Sequence, residues 1–208
     1  MVQNKPARPR GRPRAYDADQ ALARARDAFW QAGFSATSLD DLSAATGMNR
    51  PSLYAAFGDK QRLYLELLRR YTAASDQAIA REFERDQPLA KALTRFYQLA
   101  LSMYLPQGGP ARGCFLIGTA LTEAVDDPQV REQLGASLDG FRRALELRLK
   151  RAHDEGELDR DADPVALAEI GSAVLHSLAV RARAGDSRTA LNTLVKSAVR
   201  LICGGKGG

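Results

Sequence analysis

The sequence predicts an all-α protein. Alanine and leucine are frequent, apolar residues recur at spacings of three and four, and the alternating pattern of β-strands is scarce. The 208 residues are 45% hydrophobic and 26% charged, which is typical of a folded globular protein of one or two domains. A chain of this length can bury a substantial apolar core.

The apolar periodicity divides the chain into nine helices with short connections. Gly33 suits the left-handed position after the first helix, and Pro88 separates the first four helices from the last five. Asp127–Pro128 and Asp163–Pro164 each place a capping residue before a proline at the first helical position. The predicted helices are residues 17–32, 39–46, 50–57, 60–83, 89–105, 114–125, 129–155, 164–184 and 187–202.

The net charge of +5 is concentrated in the first fourteen residues, which contain no acid. The rest of the chain has 25 basic and 25 acidic side chains. A neutral body with a cationic arm favours a polyanionic partner such as DNA. We therefore expect a basic, disordered arm over residues 1–14, and a flexible glycine-rich tail over residues 204–208.

Several classes of protein are excluded by what the sequence lacks. No uncharged apolar run approaches the roughly 20 residues of a membrane helix, and the N-terminus does not resemble a signal peptide. Two cysteines do not make a disulfide scaffold, so the cytoplasm is the expected compartment. His153 and His176 are far apart and lack metal-ligand spacing, and no nucleotide-binding or hydrolase motif occurs. We expect no enzyme activity, no cofactor and no metal site.

The most specific pattern lies in residues 37–60, TSLDDLSAATGMNRPSLYAAFGDK. Ser38 and Asp41 have the spacing of a capping box, with aspartate in place of the usual glutamate or glutamine. Gly47 supplies a tight turn, and Asn49 and Pro51 begin the next helix. Two short helices joined by a glycine turn form a helix-turn-helix, the motif that places its second helix in the major groove of DNA.

The outward residues of this motif have side chains that can bind DNA. Arg50 can pair with a guanine edge or a phosphate, the hydroxyls of Thr37, Ser38 and Ser52 can bind phosphates, and Tyr54 combines a ring with a hydroxyl. Lys60, at the start of the next helix, can pair with a phosphate. The alternative is a helical hairpin of any all-α protein, in which Lys60 is a solvated charge.

These residues resemble the TetR family of transcriptional repressors. The resemblance is carried by AFWQAGFSATS, LDDLSAATGM and RPSLYAAFGDKQRLY, within residues 15–65, and by GCFLIGTALTEAVDDPQVR further on. Ala55 departs from the family pattern of a larger side chain beside the tyrosine, so base selection would rest on Arg50 and Ser52. The resemblance assigns DNA contacts to Thr37, Ser38, Asn49, Arg50, Ser52, Tyr54 and Lys60.

The basic arm contains Arg10-Gly11-Arg12-Pro13, followed by Arg14, which matches the core of an AT-hook. Glycine lets a backbone lie on the floor of the minor groove, proline keeps the backbone extended, and the arginines reach along the negative potential of an A·T tract. Arg10, Arg12 and Arg14 are therefore further candidate DNA contacts. The alternative is a non-specific electrostatic tether.

The central helices are apolar and aromatic, and in the TetR family helices at these places surround a cavity for a small-molecule effector. Tyr97, Tyr104, Thr119 and His176 would be its polar groups and Glu123 a partner for a cation. The alternative is an ordinary packed core. The candidate effector-binding residues are Phe96, Tyr97, Met103, Tyr104, Phe115, Thr119, Glu123, Phe141 and His176.

Cys114 is either a small apolar residue at a helix start or a thiol sensor activated by the neighbouring Arg112. A metal sensor built from the cysteines and histidines would require the fold to gather them. The small apolar role is the preferred interpretation.

The last two helices are apolar enough to bind a partner. Pairs of such helices from two chains would form a four-helix bundle, and a helix-turn-helix protein needs a twofold dimer to reach successive major grooves. The alternative is an intramolecular core built from the same side chains. The residues concerned are Val165, Leu167, Ile170, Val174, Leu175, Leu178, Leu191, Leu194, Val195, Ala198, Leu201 and Ile202.

The sequence thus predicts an N-terminal three-helix DNA-binding domain over residues 15–60 and a C-terminal helical domain for ligand binding and dimerisation over residues 61–203. The expected function is a cytoplasmic, homodimeric repressor that binds double-stranded DNA and is released by a small molecule. The alternative is an architectural, AT-preferring DNA-binding protein without an effector.

Overall fold

A computed structural model describes residues 17–204. Over this range the chain forms nine α-helices and no β-strand, which confirms the predicted fold class and places every helix within about two residues of its expected bounds. The helices are α1 Ala18–Ala32, α2 Leu39–Thr46, α3 Arg50–Phe57, α4 Lys60–Phe83, α5 Leu89–Tyr104, α6 Phe115–Glu123, α7 Pro128–Asp154, α8 Pro164–Arg183 and α9 Arg188–Ile202.

The helix starts follow from side-chain caps that the sequence specifies locally. The Ser38 hydroxyl accepts a hydrogen bond from the Asp41 N–H, and the Asp41 carboxylate accepts one from the Ser38 N–H, which is the predicted capping box. Asn49 caps α3, and Asp127 and Asp163 cap α7 and α8 before their prolines.

One continuous apolar core runs from α1 to α9 and joins the N-terminal helices to the C-terminal helices. Aromatic rings form the connection. The ring of Tyr64 on α4 lies 5.3 Å from Phe29 on α1 and 6.1 Å from Phe115 on α6, between centroids. Trp30 lies 5.5 Å from Tyr71 and 5.4 Å from Phe115. These rings place α6 in direct contact with α1 and α4.

The last two helices divide their apolar residues between the core and the surface. The alternative of an intramolecular core is correct for the buried members of the predicted partner set, which are Leu175, Leu178, Leu191, Val195, Ala198 and Ile202. Val165, Ile170 and Leu201 are exposed, as a partner-binding face requires. On α8 the sequence pattern could not separate the two groups, because apolar residues lie on both its buried and its exposed faces.

α8 is also long and apolar enough, by length and composition, to cross a membrane, with a mean hydropathy of 1.4 over its most apolar window. This departs from the expectation that no such segment would be found. The evidence for a membrane span is weak, since the core helix of a soluble protein passes the same test.

Candidate DNA-binding surface and effector cavity

The helix-turn-helix is formed by α2, a short turn and α3. Gly47 adopts the left-handed conformation, with φ of 72°, and its N–H donates to the Ser43 carbonyl at the end of α2. Leu42 and Leu53 are buried against the rest of the domain, which leaves the opposite face of α3 in solvent. Tyr54 stands on that face and is 49% exposed.

Arg50, the first residue of α3, is held by an acidic side chain of α2. Its Nε donates to Oδ1 of Asp40 at 2.8 Å, and its Nη2 donates to Oδ2 at 2.6 Å. This two-point hydrogen bond raises the pKa of the arginine, and both side chains remain largely exposed. Asp40 was not among the predicted site residues, because no local sequence signal pairs side chains ten positions apart.

The hydroxyl and amide candidates are partly occupied by bonds within the protein. Thr37 is only 1% exposed, and its hydroxyl donates to the Gly33 carbonyl at 2.6 Å. The Ser38 hydroxyl donates to the Asp41 carboxylate, and the Asn49 side chain accepts from the Ser52 N–H. These groups shape the helix ends, and their contacts with DNA stay predictions.

Lys60 begins α4 and lies where the DNA-binding domain meets α6. Its Nζ is 4.3 Å from the centre of the Phe34 ring, a cation–π contact, and partial burial lowers its pKa. Nearby, the Ser35 hydroxyl donates to Glu123 at 2.8 Å. Glu123, predicted as an effector contact, therefore contacts the DNA-binding domain instead of lining the cavity described below. Arg10, Arg12 and Arg14 lie outside the described residues.

A small, partly open cavity of about 40 Å³ lies between α4, α5, α7 and α8. Four of the predicted effector residues line it: Phe96, Met103, Tyr104 and Phe141. The cavity has room for a few water-sized groups, whereas drug-sized ligands occupy about 300–1,000 Å³. An effector would therefore have to enlarge it.

The polar groups at the cavity wall are neutral. The Tyr71 hydroxyl lies 3.4 Å from Sγ of Cys114, and burial raises the pKa of both groups. A buried thiol with a raised pKa is a poor nucleophile, which supports the interpretation of Cys114 as a small packing residue. Tyr71 was not predicted, because an aromatic residue on the long α4 carries no sequence signal that distinguishes a cavity wall from a core position.

A groove of about 510 Å³ adjoins the cavity on the side of α1 and α4. Tyr71, Ser75, Ala78 and Met103 line both spaces, so Met103 and its neighbours separate the cavity from solvent. Met103 is a flexible side chain, and its displacement would open the cavity into the groove.

The remaining effector candidates lie away from this cavity. The Tyr97 hydroxyl donates to the Gly171 carbonyl at 2.9 Å, Thr119 bonds the Tyr64 hydroxyl at 2.7 Å, and Phe115 packs in the aromatic connection. His176 is largely buried, with its pKa lowered by burial, and no described residue forms a hydrogen bond with its Nε2. Their roles as effector contacts stay predictions.

Comparison with known proteins identifies the fold. The family model described as "Bacterial regulatory proteins, tetR family" matches residues 21–67, and the model "Tetracyclin repressor-like, C-terminal domain" matches residues 88–198. The chain belongs to the TetR family.

Individual TetR-family relatives match between about two thirds and nine tenths of the chain. The HTH-type transcriptional repressor ComR of Escherichia coli (strain K12) is 32% identical over 195 residues, which are 92% of this chain and 91% of ComR. The repressor BdcR of the same organism is 35% identical over 132 residues, 64% of this chain and 65% of BdcR. A solved structure of the TetR family regulator CifR, a cysteine mutant complexed with 26-base-pair operator DNA, has a TM-score of 0.82 at 32% identity and covers 91% of this chain and 98% of that chain.

The family assignment identifies the function of the helix-turn-helix. The chain is a helix-turn-helix transcriptional regulator, as the residues of α2 and α3 predicted, and its relatives are transcriptional regulators rather than enzymes. The first matched range ends within α4 and the second begins just before α5, so one model covers the N-terminal helix-turn-helix and the other covers the C-terminal helices.

In this TetR-family chain the two parts are tied together by the loop between α5 and α6. The Trp30 Nε1–H donates to the Arg112 carbonyl at 3.1 Å, and the Arg112 guanidinium lies 3.8 Å from the centre of the Trp30 ring. Arg183 at the end of α8 donates to the carbonyls of both residues. We call these three residues the Trp30 junction. The Arg112 N–H in turn donates to the carbonyl of Tyr104, a cavity residue.

Proposed function

We propose that this TetR-family protein is a cytoplasmic repressor that binds a palindromic operator as a homodimer and is released by a small apolar molecule. The observation that supports the homodimer most strongly is a stripe of small and apolar residues on α8 and α9, all of them exposed except the half-buried Ser177 and Leu194. On α8 it comprises Ala166, Ile170, Ala173, Ser177 and Val180, and on α9 Ala190, Leu194, Ser197 and Leu201.

The spacing of this α8–α9 stripe alternates between three and four residues, which is the repeat of helices that pack against other helices. Ile170 is 55% exposed and Leu201 is 79% exposed, a costly arrangement for large apolar side chains unless a partner covers them. A second copy would cover them with the same two helices and complete a four-helix bundle. The twofold symmetry would then present two α3 helices to major grooves about 34–36 Å apart.

Release from DNA follows from how the cavity is connected to α1. An effector that enlarges the cavity displaces Met103 and Tyr104, and Tyr104 is bonded to the loop that contains Arg112. Arg112 lies on Trp30 of α1, while Tyr71 of the cavity wall belongs to α4. α1 and α4, the two helices that flank the helix-turn-helix, therefore shift. The α3 helices of the two subunits then no longer fit both half-sites of the operator. A preference of a few kcal/mol for the shifted state is sufficient to release DNA.

The test is selection of bound duplexes from a randomised library with the purified full-length chain. We expect enrichment of one inverted repeat, protected over a short footprint, because a twofold dimer reads two equivalent half-sites. Repeating the selection with fractionated cell metabolites should identify a fraction that abolishes enrichment. If the protein instead binds AT-rich duplexes that share no inverted repeat, and no metabolite fraction changes this binding, the architectural alternative would be favoured.

Deletion of residues 1–14 is expected to weaken binding to the selected duplex and to flatten its salt dependence. The deleted segment carries five positive charges per chain, and each phosphate that a cation neutralises contributes about 0.9 to the slope of log K against log salt. We expect the slope to fall by several units for the dimer, measured by fluorescence anisotropy over a salt series. An unchanged slope would show that the arm does not touch DNA.

A further inference from the structure

The pairing of Arg50 with Asp40 leaves one edge of the guanidinium free. A guanidinium has five N–H donors in a fixed plane. The two carboxylate oxygens of Asp40 accept hydrogen bonds from Nε and from Nη2, so Asp40 occupies the side of the guanidinium that these two nitrogens form. The second hydrogen of Nη2 and the outward hydrogen of Nη1 remain at the outer end, while the other Nη1 hydrogen points back toward Cδ. Nη1 and Nη2 can therefore donate two parallel hydrogen bonds to two neighbouring acceptors.

We propose that Asp40 is a positioning residue that holds Arg50 for end-on recognition of a guanine, an inference that rests on the proposed reading of DNA by α3. Guanine presents two acceptors, O6 and N7, at the edge that faces the major groove, and the two-point contact from arginine is the commonest specific contact to a base. Arg50 is the only basic residue of α3, and Ala55 cannot donate or accept a hydrogen bond with its side chain. Two-point recognition of a guanine by α3 therefore depends on the orientation of this one arginine.

The position of Asp40 is not explained by the needs of α2 alone. An acidic residue in the first turn of a helix is favourable, but Asp41 already supplies that charge and completes the capping box. A second carboxylate beside α3 repels the phosphates of any duplex, whatever its sequence. By ordering Arg50 it reduces the conformational entropy lost on contact with the correct base. It thus lowers the affinity for non-specific DNA while it favours one base, which increases specificity.

The experiment compares base discrimination, not overall affinity. The probes are the duplex enriched by the wild-type chain, the same duplex with 7-deazaguanine replacing each guanine in turn, and an unrelated duplex. For the wild type we expect 7-deazaguanine at one guanine of each half-site to weaken binding by about tenfold or more, because N7 is lost as an acceptor. In Asp40→Asn the loss should shrink to less than about threefold, and the affinity for the unrelated duplex should increase, because a carboxylate that repels phosphates is removed.

Three further variants separate positioning from charge and folding. Asp19→Asn removes a carboxylate of the same domain that pairs with Arg70, so it should keep the full 7-deazaguanine effect. Asp40→Ser keeps a residue suited to the start of a helix and should behave as Asp40→Asn. Arg50→Lys keeps the charge but not the planar fork and should also lose the effect. Thermal unfolding of each variant confirms that the domain is folded.

The outcomes distinguish the inference from the proposed function. If Asp40→Asn and Asp40→Ser retain the full 7-deazaguanine effect, Asp40 does not position Arg50 and only repels phosphate. If the wild type discriminates no guanine, Arg50 does not read a base and the inference is wrong while DNA binding stands. If no duplex is enriched at all, the proposed function fails, and the inference fails with it.

Discussion

Substitution of Ala173 by arginine is expected to convert the protein to a monomer and to weaken binding to the selected duplex by more than about a hundredfold. Ala173 is exposed at the centre of the α8–α9 stripe, between Ile170 and Val180. In a dimer the arginine substituted at this position would be buried against apolar residues without an acidic partner, which costs several kcal/mol for each charge. A monomer loses the second half-site and with it most of its affinity. Sedimentation velocity and duplex binding measure the two effects.

Ala80→Arg is the matched control for this prediction. Ala80 is an exposed alanine within α4, away from the α8–α9 stripe, so the same substitution there should leave the oligomeric state unchanged. Both variants should unfold at similar temperatures when compared at equal protein concentration, apart from the stability that dimerisation contributes. A dimeric Ala173→Arg protein with normal duplex affinity would show that another surface joins the two chains.

The helix-turn-helix could be predicted from sequence because its determinants are local. Ser38, Gly47 and Asn49 act on backbone groups within three or four residues, and each choice agrees with the apolar spacing of α2 and α3. The pairing of Asp40 with Arg50 could not be predicted in this way. It depends on the angle between the two helices, which the turn sets and no single residue encodes.

The lining of the candidate effector cavity was harder to predict for a related reason. Aromatic residues at helical spacing indicate that a helix is buried, but they do not indicate which of its buried side chains border an empty space. Phe96 and Tyr97 are adjacent on α5, yet Phe96 borders the cavity while the Tyr97 hydroxyl bonds the backbone of α8. The difference arises from how α5, α7 and α8 pack together. Only the three-dimensional structure contains that information.

The geometry of the loop between α5 and α6 likewise depends on packing that the local sequence does not reveal. Its glycines and prolines are typical of a turn-rich connection, and no local pattern indicates that its last residues join the two halves of the molecule. In the structure Arg112 and Gly113 both donate their N–H groups to the Tyr104 carbonyl, and Arg112 lies on Trp30. The loop therefore ends in a fixed geometry that depends on Gly113.

Gly113→Ala is expected to lower the free energy of unfolding by about 2–4 kcal/mol. Gly113 has a φ of 64°, a conformation that costs an alanine about 1 kcal/mol or more. Its new Cβ would lie 2.5 Å from the Ala179 carbonyl oxygen of α8, a backbone atom that cannot move independently of the helix. The loop must therefore move away from α8, and Arg112 moves with it. Urea unfolding followed by tryptophan fluorescence measures both effects, because Trp30 is the only tryptophan and contacts Arg112.

Gly135→Ala is the control, and the opposite sign is expected for it. Gly135 lies within α7, and a Cβ at this position would meet no atom within 4 Å, so alanine should stabilise the helix by about 0.5–1 kcal/mol. In Gly113→Ala the native fluorescence of Trp30 should change even before unfolding, because the Trp30 junction is displaced, whereas Gly135→Ala should leave it unchanged. If the two variants were equally stable, the close approach of Gly113 to α8 would not constrain the loop. The cavity would then have no fixed connection through Arg112 to α1, and release of DNA would have to depend on α4 alone.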